Sequence, residues 1–326
     1  MSKARDYIPA LKYGHKIYPE DLAGMLGLPY VGTIYYVDPY VGNDTANSGL
    51  EQNDALATVA AAYAKCTSGQ HDVVIIAPSG GTGRTVEGSA ITWAKRFTHL
   101  IGSAAPISAN VRAGMAFTAT GATTTPQFLL TENGCIIKNV TFKQAVADSY
   151  ALVKVTGDYN YFDGVHIQGI GNATAGDLTT GYDLYLSGAS ENVFANCTIG
   201  DANVARSAAN ACLKVDTGCS MNRFQGCVFQ TWADNNGVLH VNFTGAAIDR
   251  WMIFDGCLFL NGGTNSGGTE LTVFMNSNNA MGGTVLMRDS WVSGGAAVAD
   301  DFTQFKAAGA MTQPTGAAAG ESILMA

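Results

Sequence analysis

The chain has 326 residues, 47% of them apolar and only 13% charged, with 39 glycines. That length can bury a large core, and abundant tight turns under a weakly charged skin suit a repetitive, sheet-rich body. A net charge of −8 with no basic stripe argues against nucleic acid as a partner.

Residues 1–34 read as an N-terminal arm, aromatic and mixed in charge, with Tyr13, Ile17, Tyr18 and Leu22 as apolar anchors. The arm is too short to fold alone, so it either docks on another subunit or straps along its own body. Its first residues lack an apolar signal core, and no run of the chain approaches about 18 apolar residues. Cytoplasmic synthesis without a membrane span is therefore expected. Residues 35–70 read as a capping segment. Tyr36-Val37-Asp38-Pro39 and Gly42-Asn43-Asp44 lead into a helix expected over 54–66, with Leu56, Val59, Ala60 and Tyr63 at helical spacing. Asn53 and Asp54 are its candidate N-caps. Such a helix would plug the exposed edges at the end of a stacked sheet.

Val73–Ile76 and Leu100–Gly102 open the repetitive body, expected over residues 71–300. A six-residue phrase then recurs: Ile137-Lys138-Asn139-Val140-Thr141-Phe142, and equivalents starting at Phe162, Phe194, Phe224, Phe254 and Met287. The steps are 25, 32, 30, 30 and 33 residues, a period at which each unit buries its apolar side by stacking on its neighbours. Period-2 alternation makes each half of the phrase a strand. The third position is always Asn, Gly or Asp, residues that tolerate a left-handed bend. First, fourth and sixth positions should face inward, stacking Phe162, Phe194, Phe224 and Phe254 in one ladder. A further strand precedes most phrases, at 152–155, 184–186, 213–215, 238–241 and 271–275. Three strands per coil predict an all-β, single-stranded right-handed parallel β-helix. Residues 301–326 form a cap and tail; the tail from Ala307 to Ala326, rich in Ala and Gly with Ile323-Leu324-Met325 as its anchors, is either flexible or an extended contact strand.

The run from Tyr36 to Cys66 followed by His71-Asp72-Val73-Val74-Ile75-Ile76 resembles the opening of pectin-lyase-like right-handed β-helix proteins. Ile91-Thr92-Trp93-Ala94-Lys95-Arg96 with His99-Leu100-Ile101-Gly102, together with the arm, also resembles bacteriophage virion proteins built on that fold. The resemblance implies the fold; this fold carries lyases, hydrolases and inert virion parts alike.

A polysaccharide enzyme on this fold needs carboxylates gathered on the outer face of neighbouring coils. The outward row of the strand before each phrase reads Lys154, Tyr185, Lys214, His240, and the row after the bend reads Thr141, His166, Thr198, Val228, Leu258, Trp291. Neither contains an acid. Asp163, Asp255 and Asp289 fall near bends on non-consecutive coils and read as turn residues, so no outer groove is expected to hold two carboxylates within about 10 Å. No catalytic, cofactor or metal site is predicted. Asp38, Asn43 and Asp44 read as turn hydrogen-bonders rather than calcium ligands. Cys197, Cys227 and Cys257 share one repeat position and should stack as reduced core thiols. Val228, Leu258 and Trp291 would form an exposed apolar stripe, which usually marks an interface. These features point to a structural virion protein, a capsid decoration protein that docks on a major capsid or other virion protein through its arm and self-associates as a homotrimer. The alternatives are a tail-spike-type polysaccharide-degrading enzyme and a carbohydrate-binding β-helix using Tyr185 and Trp232 as platforms.

Overall fold

The computed structural model describes residues 18–307 apart from 81–82, 119–124, 145, 148–149, 263–266, 277–280 and 301–302, together with 323–324. The chain winds into a right-handed parallel β-helix of three sheets with ten, seven and ten strands. The first halves of the phrases pair in the first sheet, as in Phe162↔Phe194, Phe194↔Phe224 and Phe224↔Phe254. Their second halves pair in the second sheet, as in Thr198↔Val228, Val228↔Leu258 and Leu258↔Trp291. The strands between phrases form the third, with Lys154↔Tyr185 and Tyr185↔Lys214.

The repeat chemistry sets this geometry. The bend residues Asn139, Gly164, Asn196, Gly226, Gly256 and Asp289 all take positive φ, between 48° and 62°. One left-handed residue turns the chain from the first sheet to the second without losing register. Inward positions are sealed. Phe162, Phe194, Phe224 and Phe254 are fully buried, and consecutive rings stack at 4.5, 4.7 and 5.0 Å. Phe224→Ala is expected to cost about 3–5 kcal/mol in urea unfolding, because a gap inside a continuous stack cannot collapse. A loss below about 1 kcal/mol would remove the ladder from the stabilising core. The seven cysteines are free and buried, and burial pushes Cys66, Cys212 and Cys219 up to about 12.

Beside the phenylalanines runs a second ladder that the repeat reading missed. The side chain of Asn160 accepts from Cys135 N, that of Asn192 from Asn160 N, and that of Asn222 from Asn192 N, at 2.8, 2.9 and 3.0 Å. Each asparagine stands two residues before a ladder phenylalanine. It satisfies a buried backbone donor where the chain turns from the third sheet into the first.

The first coils are capped on two sides. Helix α1 (Pro19–Leu26) starts with proline and two acids and ends on Gly27 in the left-handed region. It lays Leu22 and Ala23 against Ile34, Tyr36, Val73, Ile75 and Ile101 on the outer face of the first sheet. Helix α2 (Val59–Lys65) covers the end of the core through Val59, Ala62 and Tyr63. It is shorter than the expected 54–66, because Gln52–Asp54 forms a separate 3-10 turn. Its N-cap is Thr58, not Asn53 or Asp54. Asp44 accepts from Ala57 N and Thr58 N, and buried Glu87 accepts from Val59 N at 2.9 Å. Tyr63 stacks on Trp93 at 4.1 Å. At the other end, Ile323–Leu324 adds an antiparallel strand to Trp291–Ser293, so this part of the tail is a contact strand within its own chain.

Candidate functional site

The interior is filled by side chains, so any site must lie on the outer faces. On the second sheet the predicted outward row exists, but its two halves differ. Thr141, His166 and Thr198 are at most 2% exposed, because the segment 103–111 folds across them. Asn110 N donates to His166 Nδ1 at 2.8 Å, and Thr198 Oγ1 donates to Ser108 O. The three were expected in solvent; a long loop, which repeat spacing does not reveal, covers them. Beyond that loop Val228 is half-buried, while Leu258 and Trp291 are 37% and 44% exposed. The apolar stripe is therefore present and open where the cover ends.

The third sheet carries an aromatic and cationic cluster. Lys154 Nζ lies 4.3 Å and Lys214 Nζ 4.7 Å from the centre of the Tyr185 ring, whose hydroxyl donates to Asp216. Tyr150 packs edge-on against it and Tyr182 lies tilted beside it. Tyr185 is only 5% exposed and Trp232 is half-buried with its Nε1 enclosed, so neither is an open platform for a sugar. The row continues from Lys214 to Asn242 and Asn276, not to His240. Alternation breaks at the start of these strands, where Leu152 and Val153, and again Cys212 and Leu213, enter the core together. His240 follows them inward, fully buried and stacked on Phe274 at 5.2 Å.

The first sheet bears a groove of about 460 Å³ at its C-terminal coils, formed by Arg223, Ile253, Leu286, Arg288 and Lys306 around Asp255. Register stacks Arg223, Ile253, Leu286 and Lys306 in one outward row and Asp255 beside Arg288 in the next. Asp255 accepts from Arg223 Nη2 and Arg288 Nε, both at 2.9 Å. The Arg288 guanidinium first, then Arg223, hold its carboxyl below the usual carboxylate range against partial burial. The expectation of no carboxylate pair fails here, since Asp289 Oδ2 also lies 3.8 Å from Arg288 Nε. The pair cannot supply a general acid through Asp255, because a catalytic acid needs a raised pKa and Asp255 is shifted the other way. Asp163 stands apart, paired with Lys138 at 2.6 Å. The groove was legible in principle, because its row occupies the residue before each inward Phe or Met of the phrase.

Of the arm residues, Leu22 is 1% exposed and packs on its own coils, which makes α1 a strap. Tyr18 is half-buried at the start of α1. Tyr13 and Ile17 lie outside the described residues. Asp38 accepts from Tyr40 N and Val41 N, and Asn43 from Thr45 N, the turn bonding expected of them. Among the described residues no three His, Cys, Asp or Glu side chains gather to hold a metal, and no helix is long and apolar enough to cross a membrane.

Three-sheet coils, left-handed bends and stacked internal ladders define a right-handed parallel β-helix. Among solved structures the chain is similar to the pectate lyase Pel9A, at 18% identity and a TM-score of 0.53 over 80% of this chain and 63% of the lyase. It is also similar to the ORF18 protein of Geobacillus virus E2, at 14% identity and a TM-score of 0.51 over 83% of this chain and 49% of the viral protein. Pectin methylesterase PemA from Erwinia chrysanthemi matches at 13% identity and a TM-score of 0.50, over 78% of both chains. The chain thus spans less than two thirds of the lyase and about half of the viral protein. Identities this low establish the fold alone. No protein-family profile and no curated protein matches the chain.

Proposed function

We propose that this chain is a structural bacteriophage virion protein: a capsid decoration protein, made in the host cytoplasm, that binds a major capsid or other virion protein through its arm and associates with itself as a trimer. The observation that carries the reading is the open row of Val228, Leu258 and Trp291. Half of the same row is sealed by the chain's own loop, and apolar area left uncovered on a sheet face is characteristic of an interface. The viral protein of the same fold supports it. Closed cyclic symmetry can bury one such stripe from every subunit.

Docking falls to residues 1–17, since Leu22 is committed to its own coils. Deleting residues 1–17 should abolish decoration of particles imaged by electron microscopy while leaving the unfolding transition unchanged. Trp291→Asp should shift the sedimenting species toward monomer with the β-sheet signal intact. A truncated protein that decorates normally, or a wild type that stays monomeric at high concentration, counts against the proposal. The enzyme alternative draws on the fold shared with a pectate lyase and on the Asp255–Asp289 pair. Cleavage of capsular or pectic polysaccharide by the purified chain would establish it instead.

A further inference from the structure

The groove on the first sheet is a cationic surface on an acidic protein. Arg223, Arg288 and Lys306 face Asp255 there, with Asp289 at the edge 3.8 Å from Arg288 Nε, whereas the chain as a whole carries −8. Asp255 orients the two arginines without satisfying them. It engages Nη2 of Arg223 and Nε and Nη2 of Arg288, while each guanidinium has five N–H donors. Arg223 Nε is enclosed and has no partner. Lys306 gives one bond to Thr303 O at 3.2 Å and keeps two donors for a ligand. Beneath these charges the floor is aliphatic, made by Ile253 and Leu286.

We infer that this groove binds an acidic, apolar-flanked peptide segment of a partner protein, with a carboxylate against Arg288 and Lys306 and an aliphatic side chain over Ile253 and Leu286. A guanidinium pair already locked in place loses little side-chain freedom on binding, and charge-assisted bonds to carboxylate are the strong ones. A glycan fits less well. No aromatic ring lines the groove among the described residues, so a sugar would find no stacking surface there. The inference rests on the virion reading in one respect: it takes the partner to be a protein.

The test titrates the full chain into two fluorescein-labelled peptides, Leu-Glu-Leu-Asp-Leu-Glu and its amide counterpart Leu-Gln-Leu-Asn-Leu-Gln, and reads anisotropy. The acidic peptide should bind, more weakly as salt rises. Arg288→Glu and Lys306→Glu should each weaken it about tenfold or more, and Ile253→Ser should weaken it at constant charge. Lys306 is exposed and bonds only to Thr303 O, so Lys306→Glu should keep the wild-type melting temperature, whereas Arg288→Glu also removes the main partner of Asp255 and its binding loss is read against that of Lys306→Glu. Equal binding of the two peptides overturns the inference, as does no binding of either. Binding of oligogalacturonate that Arg288→Glu abolishes, with the acidic peptide inert, assigns the groove to a glycan and also overturns it. The particle experiment is independent: a chain that binds the acidic peptide but never decorates particles overturns the virion reading alone.

Discussion

Asp183→Ala is expected to cost about 5 kcal/mol, more than loss of any single ladder ring, because it strands a charge inside the solenoid. Asp183 and Arg206 are both fully buried, 2.6 Å apart. Burial pushes the Asp183 carboxyl up, and Arg206 opposes the rise. The carboxylate also accepts from Gly169 N at 2.7 Å and Ile170 N at 3.1 Å. Alanine would therefore leave an unpaired guanidinium and two unsatisfied N–H groups. Adding Arg206→Met removes the stranded charge, so the double variant should be more stable than Asp183→Ala alone, the behaviour of buried pairs. Urea unfolding of both variants decides this. A single variant as stable as the double would mean that water reaches the Arg206 site.

This ion pair marks where the sequence stops being readable. Phe162 to Phe254, the bends at Asn139 to Asp289 and the cysteine column follow from a strict six-residue phrase, so spacing alone placed them. Asp183 and Arg206 lie 23 residues apart on parts of the coil whose lengths vary, and no periodicity connects them. The same holds for the segment 103–111, which reaches two and three coils onward to cover His166 and Thr198. The capping helix was legible in its apolar spacing, whereas α1 was not, although Pro19-Glu20-Asp21 at one end and Gly27 at the other are ordinary start and stop signals. The apolar anchors Tyr13, Ile17, Tyr18 and Leu22 indicate an arm but not its conformation. On the outer surface, the stripe was placed by counting from the bend. The groove lies on a different row, three residues upstream of that bend.

The histidines carry the second large effect, because three of them are buried and neutral. Burial brings His166 down to about 4, and His99 and His240 down to about 3. His71 adds a smaller push on His99, its Nδ1 lying 3.1 Å from His99 Nε2. His166 Nδ1 accepts from Asn110 N and His99 Nδ1 from Ile136 N, and His240 Nε2 lies 3.1 Å from Leu260 O, while His240 Nδ1 is enclosed without a partner among the described residues. An unfolded histidine titrates near 6.5, so below that pH the unfolded chain takes up protons that the native chain refuses. Stability must then fall as pH falls from about 6.5, and the loss continues until the native values near 4 and 3 are reached. Between pH 7.5 and 5 each group contributes about 2 kcal/mol of loss. Glu87 and Asp183, both raised by burial, bind protons more readily when folded and offset part of this at the acidic end. The urea midpoint should therefore drop steeply between pH 7 and 5, and His240→Phe should flatten the slope by about one proton. Because His166 holds the segment 103–111 through Asn110, hydrogen exchange there should rise before the phenylalanine ladder opens. A urea midpoint that stays level from pH 7 to 5 would show that these rings are protonated in the native chain, and so that the rows they occupy are wet.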